Sequence, residues 1–264
     1  MNGQPVTDAP PLWLLVSVAA VLGAVIGSFL NVCIHRLPRG ESVVHPRSKC
    51  PKCGRMLRWY ENVPILSWMV LRARCAGCGE PISPMYPLVE AATAITYAAA
   101  MYTFGVTPLL PVRLLFASAM IVLAVTDLNE RILPNTITYP GVVAGLLFSL
   151  FLPPGIVSAL IGVVLGGGVP FLIGEIYYRV RRIEGLGMGD VKMLAMIGAF
   201  LGWQLALFTL FLASLLGVAV GVPLTRIKGD RFYQIPLGTF LAIGALVAVF
   251  VGDPIVAWYA GLYR

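Results

Sequence analysis

Two carboxylates and four thiols in this sequence have the spacing to do chemistry. Asp190 closes the stretch Gly185-Leu186-Gly187-Met188-Gly189-Asp190-Val191-Lys192, at the foot of a long apolar run. Three glycines at alternate positions make a poor helix, because glycine loses the most backbone entropy on ordering; they make a loop that another chain can approach closely. An ionisable group at or near membrane depth is costly, so a carboxylate there reads as a functional site. The plainer reading is an interfacial turn with a solvated Asp. A second carboxylate, Asp127, ends an earlier apolar run just before Leu128-Asn129-Glu130-Arg131. The thiols form C-x2-C twice, Cys50-Pro51-Lys52-Cys53 and Cys75-Ala76-Gly77-Cys78, with 21 residues between. Two such knuckles can bring four thiolates to one tetrahedral zinc.

The elements that must position these groups are membrane helices. The chain has 264 residues, 58% hydrophobic and 12% charged, with mean hydropathy +0.86. A soluble domain carries about 25% charge. The sequence therefore predicts an all-α polytopic membrane protein whose partner is the lipid bilayer. Residues 1–12 hold no Lys or Arg, so no cleavable signal peptide is expected and the first apolar run is a signal anchor. A net charge of +7 raises nucleic acid as a partner, but its placement excludes that reading. Nine of the nineteen basic residues lie between His35 and Pro84, and most others fall in short gaps between apolar runs.

A crossing needs about 20 apolar residues. Segments are expected at Leu12–Cys33, from Tyr86 to Gly105, and from Pro111 to Thr126. The uncharged span before Glu175 is split in two by Pro153-Pro154-Gly155, and the one from Met193 to Thr225 is split near Gly202-Trp203. A last helix covers Ile235–Val251, giving about eight crossings. The expected division is an N-terminal anchor (1–33), a cytosolic four-Cys zinc domain (34–85) and a seven-helix core (86–264). With residue 1 outside, 17 of the 19 Lys and Arg fall inside or at an inner helix foot, and only Arg113 and Arg264 fall outside.

That orientation puts Asp127, at the inner end of segment three, level with Asp190, at the inner start of segment six. Two carboxylates sharing a site do not both ionise cheaply, so one keeps a proton. The ionised partner can then take a proton from water while the other polarises a peptide carbonyl, as in aspartic proteases. Helix direction favours Asp190, at a helix N-terminus, as the base and Asp127, at a helix C-terminus, as the proton donor. Gly187 and Gly189 are expected to shape the loop where substrate backbone docks, with Lys192 beside it.

These residues resemble a known family. Gly187-Met188-Gly189-Asp190 with the earlier Asp127 resembles the GxGD intramembrane aspartic proteases. Closer still are the bacterial type IV prepilin leader peptidases. Gly27-Ser28-Phe29-Leu30-Asn31-Val32 with His35-Arg36-Leu37-Pro38 looks like their N-terminal signature. Asp127-Leu128 with Leu133-Pro134-Asn135 looks like their first catalytic segment, and Ile235-Pro236-Leu237-Gly238 like their last-helix motif. The resemblance covers nearly the whole chain. It implies Asp127 and Asp190 as the catalytic pair in the bacterial inner membrane. The activity implied is cleavage, after a glycine at the cytoplasmic face, of the short basic leader of prepilin or pseudopilin precursors.

The four-Cys insert also resembles the family's cytosolic domain, which accompanies N-methylation of the new amino terminus by S-adenosylmethionine. No Rossmann-type glycine motif stands here, the residues that hold the donor are unknown from sequence, and Met85 stands where the family usually has a basic residue. Zinc on Cys50, Cys53, Cys75 and Cys78 would be structural, since four thiolates leave no open position. Two disulfides or scattered thiols are the alternative, disfavoured by cytosolic placement. Cys33 reads as packing. Three other functions fit parts of the pattern: a proton- or cation-coupled transporter, a peptidase without methyl transfer, and an inactive assembly protein.

Overall fold

The computed structural model describes residues 10–182, 187–228 and 236–261. Gly185 and Leu186 of the glycine stretch, Arg231 and Ile235 lie outside the described residues. By internal contacts the chain divides into two units, Met1–Asn31 with Arg47–Leu110, and Val32–Pro46 with Pro111–Arg264.

The first unit holds most of α1 (Leu12–Arg36), the four-thiol insert with the short helix α2 (Leu66–Val70), and α3 (Met85–Phe104). Within it α1 and α3 pack closely through small residues, as membrane helices do. A methyl group on Gly27 would meet Glu90 Cα at 2.7 Å, and one on Gly23 would meet Ala94 Cα at 2.8 Å.

The second unit is built from α4 (Leu110–Glu130), α5 (Asn135–Phe148), α6 (Ile156–Val163), α7 (Val169–Arg181), α8 (Met188–Lys228), α9 (Leu237–Val247) and α10 (Asp253–Gly261). The π-turn Val164–Gly168 joins α6 to α7, and Ala248–Gly252 joins α9 to α10, so each pair runs on without a break. Its core is apolar and fully buried: Phe116, Met120 and Leu123 of α4, Met193, Leu194, Met196 and Ile197 of α8, and Leu241 of α9. Where α6 crosses α8, Gly162 and Gly198 face each other, and a Cβ on either would overlap the other's carbonyl. The outer faces stay apolar too, with Val157, Leu172, Ile173 and Ile176 exposed, the character of a surface solvated by lipid.

The all-helical membrane class expected from sequence holds, and no strand occurs among the described residues. Among those residues five helices are long and apolar enough to cross a membrane: Leu12–Arg39, Leu110–Glu130, Ile156–Arg181, Met188–Pro223 and Leu237–Tyr259. The other expected segments are less clear-cut. α3 has 20 residues but falls outside that set, and α5 has only 14. α8 covers two expected segments, and only Gly202 breaks its helical dihedrals, with φ +80 and ψ 174. That positive φ suits a residue without Cβ. A Cβ at Gly202 would lie 3.0 Å from Pro154 Cβ, so the break in α8 rests against the Pro153-Pro154 turn.

Candidate active site and metal centre

Asp127 lies in the last turn of α4 and is only 6% exposed. Its Oδ2 accepts the backbone N–H of Thr239 at 2.7 Å and faces the Thr239 hydroxyl at 3.2 Å. The same hydroxyl lies 3.1 Å from the carbonyl of Ala124. Thr239 is the third residue of α9, so its N–H is one of the orphan donors that every helix start leaves. Gly238 makes the approach possible: a Cβ there would lie 2.9 Å from Asp127 Oδ2 and 3.0 Å from Leu133 Cδ1.

Asp190 lies in the first turn of α8, and its backbone N–H donates to Gly187 O at 3.1 Å. It is within electrostatic reach of Asp127. Leu133 bridges the two surroundings. Its Cβ would be 3.1 Å from a Cβ on Gly189, while its Cδ1 packs at Gly238. Gly187 also lies beside the carboxylate, its Cβ position 3.1 Å from Asp190 Oδ2. Lys192, two residues further along, donates from Nζ to Asn135 Oδ1 at 2.9 Å and lies 5.1 Å from the centre of the Tyr139 ring.

The geometry changes one expectation. The assignment of Asp190 as base rested on Asp127 facing only the C-terminal end of its own helix. Asp127 also faces the N-terminal end of α9, so both carboxylates sit at helix starts. The macrodipole, about 0.3–1 kcal/mol at exposed ends and up to about 2 when partly buried, no longer separates them. Sequence reasoning missed Thr239 as a partner of Asp127, and Asn135 and Tyr139 as partners of Lys192. A signal for two of them was present, since Thr239 follows the last-helix motif and Asn135 ends Leu133-Pro134-Asn135.

The four thiols of the insert do converge. The Sγ atoms of Cys50, Cys53, Cys75 and Cys78 all lie within 4.8 Å of one another, and Cys50 Sγ is 3.9 Å from Cys78 Sγ. A tetrahedron with Zn–S of about 2.3 Å has S···S edges of about 3.8 Å, so the donor set fits zinc. The knuckles repeat one pattern. Cys50 N–H donates to Arg55 O and Gly54 N–H to Cys50 O, as Cys75 N–H does to Glu80 O and Gly79 N–H to Cys75 O, all at 2.9 Å. Backbone N–H bonds from Cys78 and Gly77 push the Cys75 thiol down to about 6. Cys78 goes to about 11: the Glu80 N–H pulls it down, but burial and the neighbouring sulfurs push harder. Four crowded sulfurs cannot all be thiolates without a cation, and a divalent metal supplies that charge. No cysteine pair is a disulfide, and Cys33 is free and buried.

These features define a helical membrane protein with paired carboxylates at helix ends and a separate four-thiol centre. The comparisons with known proteins agree. The family model described as "Bacterial Peptidase A24 N-terminal domain" matches residues 21–104, and that of the "Type IV leader peptidase family" matches residues 114–222. Three relatives carry the name prepilin leader peptidase/N-methyltransferase. That of Aeromonas hydrophila is 37% identical, covering 94% of each chain. That of Pseudomonas putida is 35% identical, covering 92% of each. That of Myxococcus xanthus (strain DK1622) is 46% identical over 76% of this chain and 61% of its own length. No solved structure matches. The chain belongs to the type IV leader peptidase family.

Proposed function

We propose that this chain is an inner-membrane aspartic endopeptidase that cuts the short basic leader from prepilin-like precursors and then methylates the new amino terminus. What supports the peptidase half is the gathering of Asp127 and Asp190 about Leu133, with α9 bound to one carboxylate and the Gly187–Gly189 backbone beside the other. One carboxylate takes a proton from water as the water oxygen bonds to the scissile carbonyl carbon, and its protonated partner donates to the carbonyl oxygen. Collapse of that diol breaks the C–N bond, and the amine leaves with a proton returned from the pair. The titration belongs to the pair rather than to either residue. Substrate backbone would dock along Gly187 and Gly189 as an added strand, with Lys192 held at its edge by Asn135.

The topology proposed is multi-pass with about eight crossings, the N-terminus outside and both the carboxylate pair and the zinc-held insert on the cytoplasmic side. The count of 17 inner Lys and Arg supports it. In this division residues 34–85 form the zinc domain and 86–264 the peptidase core. Zinc on the four cysteines supports folding of the insert. Methyl transfer rests on the relatives' shared name and on the resemblance, with S-adenosylmethionine supplying the methyl group. No strand-to-helix glycine turn cradles that donor among the described residues. Nothing in the fold or the comparisons favours the transporter reading.

The test is a gel shift with purified protein and a synthetic precursor. Asp190→Asn should abolish cleavage yet still methylate a pre-cut peptide. Full cleavage by that variant overturns the pair.

A further inference from the structure

The insert carries an apolar helix face that its fold leaves uncovered. α2 is only Leu66-Ser67-Trp68-Met69-Val70. Leu66, Met69 and Val70 stand at i, i+3 and i+4, one face of a helix, and are 60%, 63% and 80% exposed. Ser67 and Trp68 turn inward, with the Trp68 indole N–H donating to Ile82 O at 3.1 Å.

The backbone around α2 is built to hold that face out. Ile65 takes φ +62, an outlying conformation for a β-branched residue. Its N–H donates to Glu90 Oε2 at 2.7 Å. At the other end Arg72 and Ala73 take φ +51 and +59. Their N–H groups return to Met69 O at 3.0 Å and Trp68 O at 2.8 Å, stopping the helix at Val70.

The tie to Glu90 fixes the level of α2. Glu90 is the sixth residue of α3, about 7.5 Å along the axis from its start at 1.5 Å per residue. Its side chain leans back toward that start, and Ile82, three residues before α3, marks the outer limit. α2 therefore lies alongside the first turns of α3. The headgroup layer on one side of a bilayer is about 5–8 Å deep, so with the start of α3 at the outer edge of that layer α2 would lie at the headgroup–acyl boundary.

Charge favours the same occupant. Between Arg47 and Pro84 there are seven Lys and Arg but only Glu61 and Glu80. Glu61 is ion-paired to Arg55 at 2.6 Å and Glu80 to Lys52 at 3.6 Å. Arg72 and Arg74, just past the apolar face, are exposed.

We propose that α2 is an interfacial anchor: Leu66, Met69 and Val70 enter the headgroup–acyl boundary of an anionic leaflet, and Arg72 and Arg74 meet the lipid phosphates. Anionic lipid draws basic residues to this level, and amphipathic helices lie in it. The anchor fixes the depth of the zinc domain independently of the peptidase chemistry.

The experiment uses the full chain in nanodiscs containing phosphatidylglycerol, with an environment-sensitive fluorescent amino acid at position 70 and, as a reference, at position 52. Brominated acyl chains should quench position 70 several-fold more than aqueous iodide does, and position 52 should show the reverse. Stronger quenching by iodide at position 70 overturns the proposal, as does quenching by neither agent, which would mean that protein covers α2. Position 69 carries the same test if the position 70 variant does not accumulate. Replacing the anionic lipid with phosphatidylcholine, or combining Arg72→Gln with Arg74→Gln, should weaken the bromolipid quenching. Unchanged quenching overturns the role given to the arginines.

Discussion

Thr239 donates its backbone N–H to Asp127 Oδ2 at 2.7 Å across 112 positions of sequence. This bond makes the start of α9 part of the carboxylate site. It also divides the contributions of Thr239, since the N–H survives substitution and the hydroxyl does not. Thr239→Val should keep the fold and slow precursor cleavage. A hydrogen bond contributes about 0.5–1.5 kcal/mol net, which is roughly a two- to ten-fold fall in initial rate. An unchanged rate in the gel assay would assign the hydroxyl to the Ala124 carbonyl alone.

Two glycines of the second unit should respond oppositely to alanine. At Gly238 the new methyl group meets Asp127 Oδ2 at 2.9 Å and Leu133 Cδ1 at 3.0 Å, so the carboxylate must move. Overpacking of this kind costs about 1–3 kcal/mol, and Gly238→Ala should lose roughly ten-fold or more in cleavage. At Gly217 the nearest atom is Phe240 Cδ2 at 3.8 Å, an ordinary contact. Gly217→Ala should cleave as the parent does, and equal losses at both sites would point to general helix disturbance.

Metal analysis of the purified protein should find about one zinc per chain. Replacing Cys50 and Cys53 by Ser should remove it and open the insert to protease, because binding and folding are coupled in such sites. Thiolates bind the metal, so protons compete as pH falls. Zinc should be retained at neutral pH and released on sufficient acidification. A metal-free insert that resists protease would remove zinc from the account.

Glu61 gives the insert a second pH dependence. The Arg55 guanidinium, with help from the Arg58 backbone N–H, holds its carboxyl below the ordinary range. The folded value is thus lower than the unfolded one. Its contribution to stability is complete above the unfolded value of about 4.3 and is lost as pH falls through the lowered folded value. Arg55→Met should weaken this dependence, leaving the part that the Arg58 N–H supplies. The difference between parent and Arg55→Met proteolysis profiles across pH measures it, since zinc release is common to both; parallel profiles would deny the pair that role.

The sequence was most informative where chemistry or chain direction depends on residue type. C-x2-C spacing anticipated a cluster of four sulfurs. Pro153-Pro154-Gly155 and Gly202 marked the breaks, because a Pro-Pro-Gly run ends a helix and a glycine at positive φ interrupts one, whereas the lone Pro140 and Pro223 sit inside helices. The glycine run at 166–168 makes no break: it sits in a π-turn and the helix continues through it to Arg181. The motif before Thr239 drew attention to its surroundings, but its bond to Asp127 was illegible because it depends on how α9 enters the bundle, which no local pattern encodes. The dipole argument failed for the same reason: it counted the helix that carries Asp127 and left out the helix that meets it.

The break at Gly202 sets a length. From Met188 to Leu201 the first arm of α8 has 14 residues, as α5 does, and each reaches about 21 Å. The hydrocarbon layer averages about 30 Å. Hydrophobic mismatch of that size is met by thinning the lipid or by sinking the short helices below the headgroups. Were both short arms to span the bilayer, either outcome would bring the carboxylate pair toward the acyl chains. A precursor still held in the bilayer then needs only a short reach for its peptide bond to arrive there.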